Sequence, residues 1–161
     1  MSWKTHVTVA AVIESNDRFL MVKEHASGKL VLNQPAGHLE PGETLVEAVA
    51  RETLEETAWQ FTAESLLGVY QWHQTARQRT YLRFAFCGSV SGHDPQRELD
   101  DGIVAALWLS REELHRRSMQ LRSPMVMRCT DDYLEGKRYP LEIFAHLEEI
   151  PMMLRLLGSM R

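Results

Sequence analysis

Glu52, Glu55 and Glu56 follow directly on Arg51. At about 100° per residue, Glu52 and Glu56 stack one helical turn apart with Glu55 beside them, so three carboxylates share about a third of the circumference. Like charges so placed destabilise a helix by about 0.2–0.5 kcal/mol per pair, and Arg51 can relieve only part of that. A hard divalent cation with oxygen ligands, Mg²⁺ or Mn²⁺, would turn the repulsion into binding. The competing reading is a solvated acidic face, and three glutamates alone leave the two evenly balanced.

The flanking residues supply the helix these acids need. Thr44 with Glu47 three positions on is a capping box, Pro41-Gly42 makes a turn just before it, and Val46, Val49, Ala50 and Leu54 recur at helical spacing. Upstream, residues 6–13 are apolar and β-branched almost without a break, as in a strand covered on both faces in the middle of a sheet. The turn at Ser15-Asn16-Asp17 returns the chain as a second strand over 18–24, and an extended stretch over 30–34 runs into Pro35-Ala36-Gly37. Downstream, strands are predicted over 66–73, 80–90 and 104–109, with a long loop at 91–102. Ser110 with Glu113 forms a second capping box, and Ser123 before Pro124 caps a helix over 124–135 that packs Val126, Cys129 and Tyr133 on the sheet.

The spacing of Gly37, Glu43, Arg51-Glu52 and Glu55-Glu56 resembles the signature of the Nudix hydrolases, which cleave diphosphates linked to another moiety. The resemblance implies an α/β fold in which a mixed β-sheet is sandwiched between helices (α/β/α). It also implies that Glu52, Glu55 and Glu56 bind metal with the Gly37 carbonyl, and that Arg51 orients a glutamate by a salt bridge, with Glu43 secondary. Two positions depart from the pattern: Thr53 stands where an apolar residue is usual, and Ala58, followed by Trp59, stands where glycine is usual. Alanine enters the left-handed conformation less cheaply than glycine, so the departure touches the helix exit and not the acids.

Further stretches, HVTVA at His6, NQPAGHLE at Asn33, LRF at Leu82, LRSP at Leu121 and RYPLE at Arg138, resemble one bacterial phosphatase subgroup of that family, up to about Glu142. The subgroup implies hydrolysis of nucleoside tri- and diphosphates, and of thiamin diphosphate or its hydroxymethylpyrimidine precursor, with Mg²⁺ and release of orthophosphate. Two other readings stay open. One is a pyrophosphohydrolase of ADP-ribose, sugar nucleotides or RNA 5′ ends; the other is a silent nucleotide-binding module, against which the intact acids argue.

Among substrate contacts, Arg83 lies in mid-strand opposite the apolar face made by Leu82, Phe84 and Phe86, and calls for an anionic partner, either a carboxylate or a phosphate. Arg77 and Arg79 are further candidates for a terminal phosphate. Trp72, Tyr81 and Trp3 are candidates to stack on a heterocycle, though each suits the core better. Relatives in the family often carry an acid six positions before the Trp of the last strand; here that position is Gly102, and Asp100, Asp101 or Glu98 could substitute, although a solvated acidic loop is the favoured reading.

The 161 residues suit one domain, 1–161, with 140–161 a Met/Leu-rich tail expected to pack on the core. A net charge of -4 argues against a nucleic-acid polymer or an anionic membrane as partner and leaves small charged ligands. Cys87 and Cys129 have no paired spacing, and neither a signal peptide nor an 18-residue apolar span is visible, so a cytoplasmic monomer is expected.

Overall fold

The computed structural model describes residues 5–148. Eight strands divide between two sheets. In the first, β1 (Thr5–Val12) lies between β5 (Ala36–His38) and β7 (Arg79–Ser91), and β6 (Gln60–Gln74) flanks β7. Only the β1–β7 pairing is parallel, so this sheet is mixed. The second sheet is antiparallel, with β3 (Arg18–Ala26) between β8 (Ile103–Leu109) and β4 (Lys29–Asn33), and the short β2 (Glu14–Ser15) along one end of β3. The expected mixed sheet and covering helices are present, with the strands shared between two sheets instead of forming one.

The central placement of β1 follows from its sequence. Val9, Ala11 and Ile13 enter one core with Ala48 and Val49 of α1 (Leu45–Thr57), while Ala10 and Val12 enter another with Val126 and Cys129 of α3 (Met125–Leu134). An all-apolar strand thus joins two cores, each covered by a helix. The short α2 (Arg111–Arg116) begins at the Ser110–Glu113 capping box and contributes Leu114 to the α3 side. Phe144, in the segment expected to pack, meets Phe84 and Phe86 at centroid distances of 5.9 and 5.7 Å. Trp3 and the last part of the tail, 149–161, lie outside the described residues.

Three local expectations are corrected. β6 starts at Gln60 and not at 66, because bulges at Ala63/Ser65 and Leu66/Gly68 break the alternation by which its first half would be read. Ser123 does not cap α3: the helix starts one residue later, Pro124 is its cap, and the buried Ser123 hydroxyl has no partner. Neither face of β7 is polar, since Phe84 and Phe86 face the α1 core while Ala85 and Cys87 face the α3 core.

The helix exit is preserved without glycine. Ala58 adopts φ 61°, ψ 15°, and its N–H donates to the Leu54 carbonyl. A left-handed non-glycine residue carries about 1–2 kcal/mol of strain. Ala58→Gly is therefore expected to raise unfolding stability by about 1 kcal/mol, part of the relief being offset by the lost methyl and by chain entropy; a denaturant midpoint that stays or falls would contradict this.

Candidate active site

The capping box at Thr44 and Glu47 fixes the start of α1, and the next turns bring Arg51, Glu52, Glu55 and Glu56 against β5. Arg51 is the organising cation. Its Nε and Nη2 donate to the two oxygens of Glu43 at 3.0 and 2.8 Å, its Nη1 to Glu52 and Glu55 at 2.9 and 3.0 Å, and its Nη2 also to the His38 carbonyl at 3.1 Å. The Arg51 bond holds the Glu43 carboxyl below its usual range, and these acids push the guanidinium pKa up. Glu43 is thereby part of the frame, as is Glu40, whose N–H donates to it at 2.7 Å.

Glu52 and Glu56 are buried, at 9% and 7% exposure. Burial raises both pKa values, Glu52 in spite of Arg51 and Glu56 to about 9. The Ala36 N–H donates to Glu56 Oε2 at 2.8 Å but does not offset desolvation, and the Glu24, Glu52 and Asp100 carboxylates add to the rise. Gly37 is the complementary feature. A Cβ there would stand 2.0 Å from the Glu52 carboxyl carbon, so only glycine lets the backbone lie against this acid.

Among the described residues, no three acidic or imidazole side chains converge as ligands in this arrangement, because Arg51 holds Glu52 and Glu55 while Glu56 turns to Ala36. The donor set nevertheless fits a hard divalent ion: only oxygens, two of the acids buried, one arginine against several carboxylates, and a glycine that lets the backbone lie against Glu52. The 91–102 loop adds one more acid. Asp100 donates its N–H to the Glu55 carbonyl at 3.0 Å, and its carboxylate raises both Glu52 and Glu56. Of the three acids that the sequence leaves open, Asp100 is thus the one shown beside the box.

The other expected contacts are distributed unevenly. His38, His6, Tyr81 and Trp72 form a row across β5, β1, β7 and β6 that begins beside Gly37. His6 stacks on Tyr81 at 5.0 Å and Tyr81 on Trp72 at 5.5 Å, while His38 meets His6 edge-on at 5.3 Å. Tyr81 therefore has a ring stacked on each side of it. Trp72 also lines a groove of about 360 Å³, together with Tyr70, Met125 and Arg128.

Arg83 meets neither a carboxylate nor the surface. It is 4% exposed and donates to Gln34 Oε1 and Asn33 Oδ1 at 3.2 and 3.3 Å, beside Cys129, with its Nε unpaired. Arg77 is tied to the Ser27 hydroxyl on the exposed β3–β4 turn, and Arg79 is exposed. Glu24 and Arg122, which the sequence gives no reason to single out, form an ion pair at 2.9 Å in the same cleft.

Two buried carboxyls on α1 thus lie against β5, the glycine-bearing edge strand of the mixed sheet, as expected of a Nudix hydrolase. The NUDIX domain family profile matches residues 4–129, and the chain belongs to that family. It is a phosphohydrolase acting on phosphoanhydride bonds. It is 43% identical over 142 residues to Phosphatase NudJ of Escherichia coli (strain K12), covering 88% of this chain and 91% of the relative. Phosphatase NudJ of Shigella boydii gives the same identity and coverage. Among solved structures, a NUDIX hydrolase from Nitrosomonas europaea superposes with a TM-score of 0.88 at 50% identity, covering 89% of this chain and 98% of that one.

Proposed function

We propose that this protein is a Mg²⁺-dependent phosphatase, with Mn²⁺ able to substitute. Its substrates are nucleoside tri- and diphosphates and thiamin diphosphate or its hydroxymethylpyrimidine precursor, and it releases orthophosphate. The carrying observation is the crowding at β5, where buried Glu52 lies against Gly37 and buried Glu56 accepts from the Ala36 N–H. The similarity to Phosphatase NudJ supports terminal phosphate release over internal cleavage.

Glu52, Glu55, Glu56 and the Gly37 carbonyl would hold the ion. When bound, it neutralises diphosphate oxygens and acidifies a water. Arg51 keeps Glu43 and the His38 carbonyl in place and so fixes α1 against β5. Glu56 Oε1 has no hydrogen bond among the described residues and is the better placed proton acceptor, with Glu52 the second candidate. Trp72 receives the heterocycle, backed by Tyr81, and Arg79 and Arg77 meet the anionic end at the mouth. Arg83, enclosed behind Asn33 and Gln34, positions those amides. The protein is read as a monomer working in the cytoplasm, a reducing setting with which the free thiols of Cys87 and Cys129 are compatible.

The test is a screen of nucleotides and thiamin intermediates with Mg²⁺ or Mn²⁺, with every phosphorus-containing product identified. Orthophosphate from a nucleoside diphosphate or thiamin diphosphate is expected. Preferential cleavage of ADP-ribose to monophosphates would overturn the assignment. Independently of turnover, Mg²⁺ should raise the melting temperature of the wild type more than that of Glu52→Gln, by mass action on the folded state.

A further inference from the structure

The cleft between the two sheets is electrically bipolar. At the box, Glu43, Glu52 and Glu55 bond Arg51, with Glu56 and Asp100 close to Glu52. Across from it lies Glu24, close enough to raise Glu56 and joined to Asn33 at 3.3 Å and to Arg122 at 2.9 Å. Arg83 stands behind Asn33 without a carboxylate of its own, and both Arg122 and Arg79 act on His38, the residue after Gly37. Two guanidiniums, those of Arg122 and Arg83, therefore face the one Glu24 carboxylate. Such a site has an excess of positive charge, which an anion entering the cleft would balance.

Of these two, Arg83 is buried and Arg122 is the exposed one, with its backbone fixed. Its N–H donates to the Leu32 carbonyl at 2.8 Å, and the adjoining Leu121 bridges to Leu32, so the residue is stitched to β4. Its side chain is 42% exposed, against 14% for Glu24, and the ion pair runs through Nη1. A guanidinium presents five N–H donors in a planar fork suited to two phosphate oxygens.

We infer that Arg122 is a specificity-determining residue that exchanges Glu24 for the free terminal phosphate of the substrate, Glu24 holding it in place beforehand. The inference rests on the phosphohydrolase reading for its substrate class, but it concerns binding and can be tested apart from turnover.

Calorimetric titration of ADP and of ADP-ribose in EDTA, on wild type, Arg122→Ala, Arg122→Lys and Glu24→Gln, decides it, with melting curves alongside. Arg122→Ala should weaken ADP binding at least tenfold and ADP-ribose binding less, because the latter has no terminal phosphate. Lysine, a point charge without the fork, should recover only part of the loss. Glu24→Gln should tighten ADP binding, since a competitor for Arg122 is gone. If the pair is merely structural, Arg122→Ala and Glu24→Gln will melt lower by similar amounts and bind ADP as the wild type does, which overturns the inference. Failure of every phosphoanhydride to turn over would sink the hydrolytic reading while leaving this binding pattern intact, so the two can fail separately.

Discussion

Replacing Glu56 with glutamine is expected to remove most turnover and, at the same time, to stabilise the protein measured in a chelator at alkaline pH. The two effects have one cause. Burial holds the Glu56 carboxyl near pKa 9 instead of the ordinary 4.5, so the fold binds a proton there that the unfolded chain releases. Because the folded pKa is the higher, the stabilising contribution of the neutral acid is complete below about pH 4.5. It declines as pH rises toward 9, by at most about 1.4 kcal/mol per pH unit. Glutamine can accept from the Ala36 N–H as Glu56 Oε2 does and has no proton to lose, so the advantage of the variant should grow between pH 6 and 9. Its missing charge deprives the site of a ligand and a proton acceptor, and activity should fall by more than tenfold, about 1.4 kcal/mol or more in the barrier. Wild-type turnover by Glu56→Gln would show that this acid is only part of a helix face. A pH-independent stability difference would show that its carboxyl is not held neutral by the fold.

The box was legible because its parts are local. Thr44, Glu47, Arg51, Glu52, Glu55 and Glu56 occupy one helix whose start is written in a capping box, and the structure reproduces that box. β1 was legible for a similar reason, its unbroken apolar run matching its two covered faces. What the sequence could not convey depends on strands that meet through the tertiary fold. Glu24 and Arg122 are 98 positions apart and look like ordinary surface charges until β4 draws the segment before α3 across the cleft. Arg83 was legible as an arginine in need of a partner, but not as one satisfied by two amides, because Asn33 and Gln34 reach it from the other sheet. Nothing in the sequence marks His6 and Trp72 as neighbours of Tyr81; strand register then stacks one on each side of it.

The substitution Gly37→Ala is expected to damage both packing and chemistry, and the two can be separated. The new methyl would sit 2.0 Å from Cδ of Glu52 and 2.1 and 2.2 Å from its oxygens, far inside contact distance. Glu52 has little freedom to yield: it is buried, and its Oε1 accepts from Arg51 Nη1 at 2.9 Å. Overpacking of this kind costs about 1–3 kcal/mol, and displacing Glu52 from its place against β5 should lower turnover on the order of a hundredfold, about 2.7 kcal/mol. In a double-mutant cycle with Glu52→Ala, the side chain that the methyl strikes is already gone. The stability penalty of Gly37→Ala should then largely vanish, giving a coupling of about 0.5–3 kcal/mol, while activity stays lost because the acid is missing. Strictly additive penalties would mean that the glycine is needed for some reason other than the approach of Glu52. Near-normal turnover by Gly37→Ala alone would mean that the backbone at β5 and the acid do not form one site.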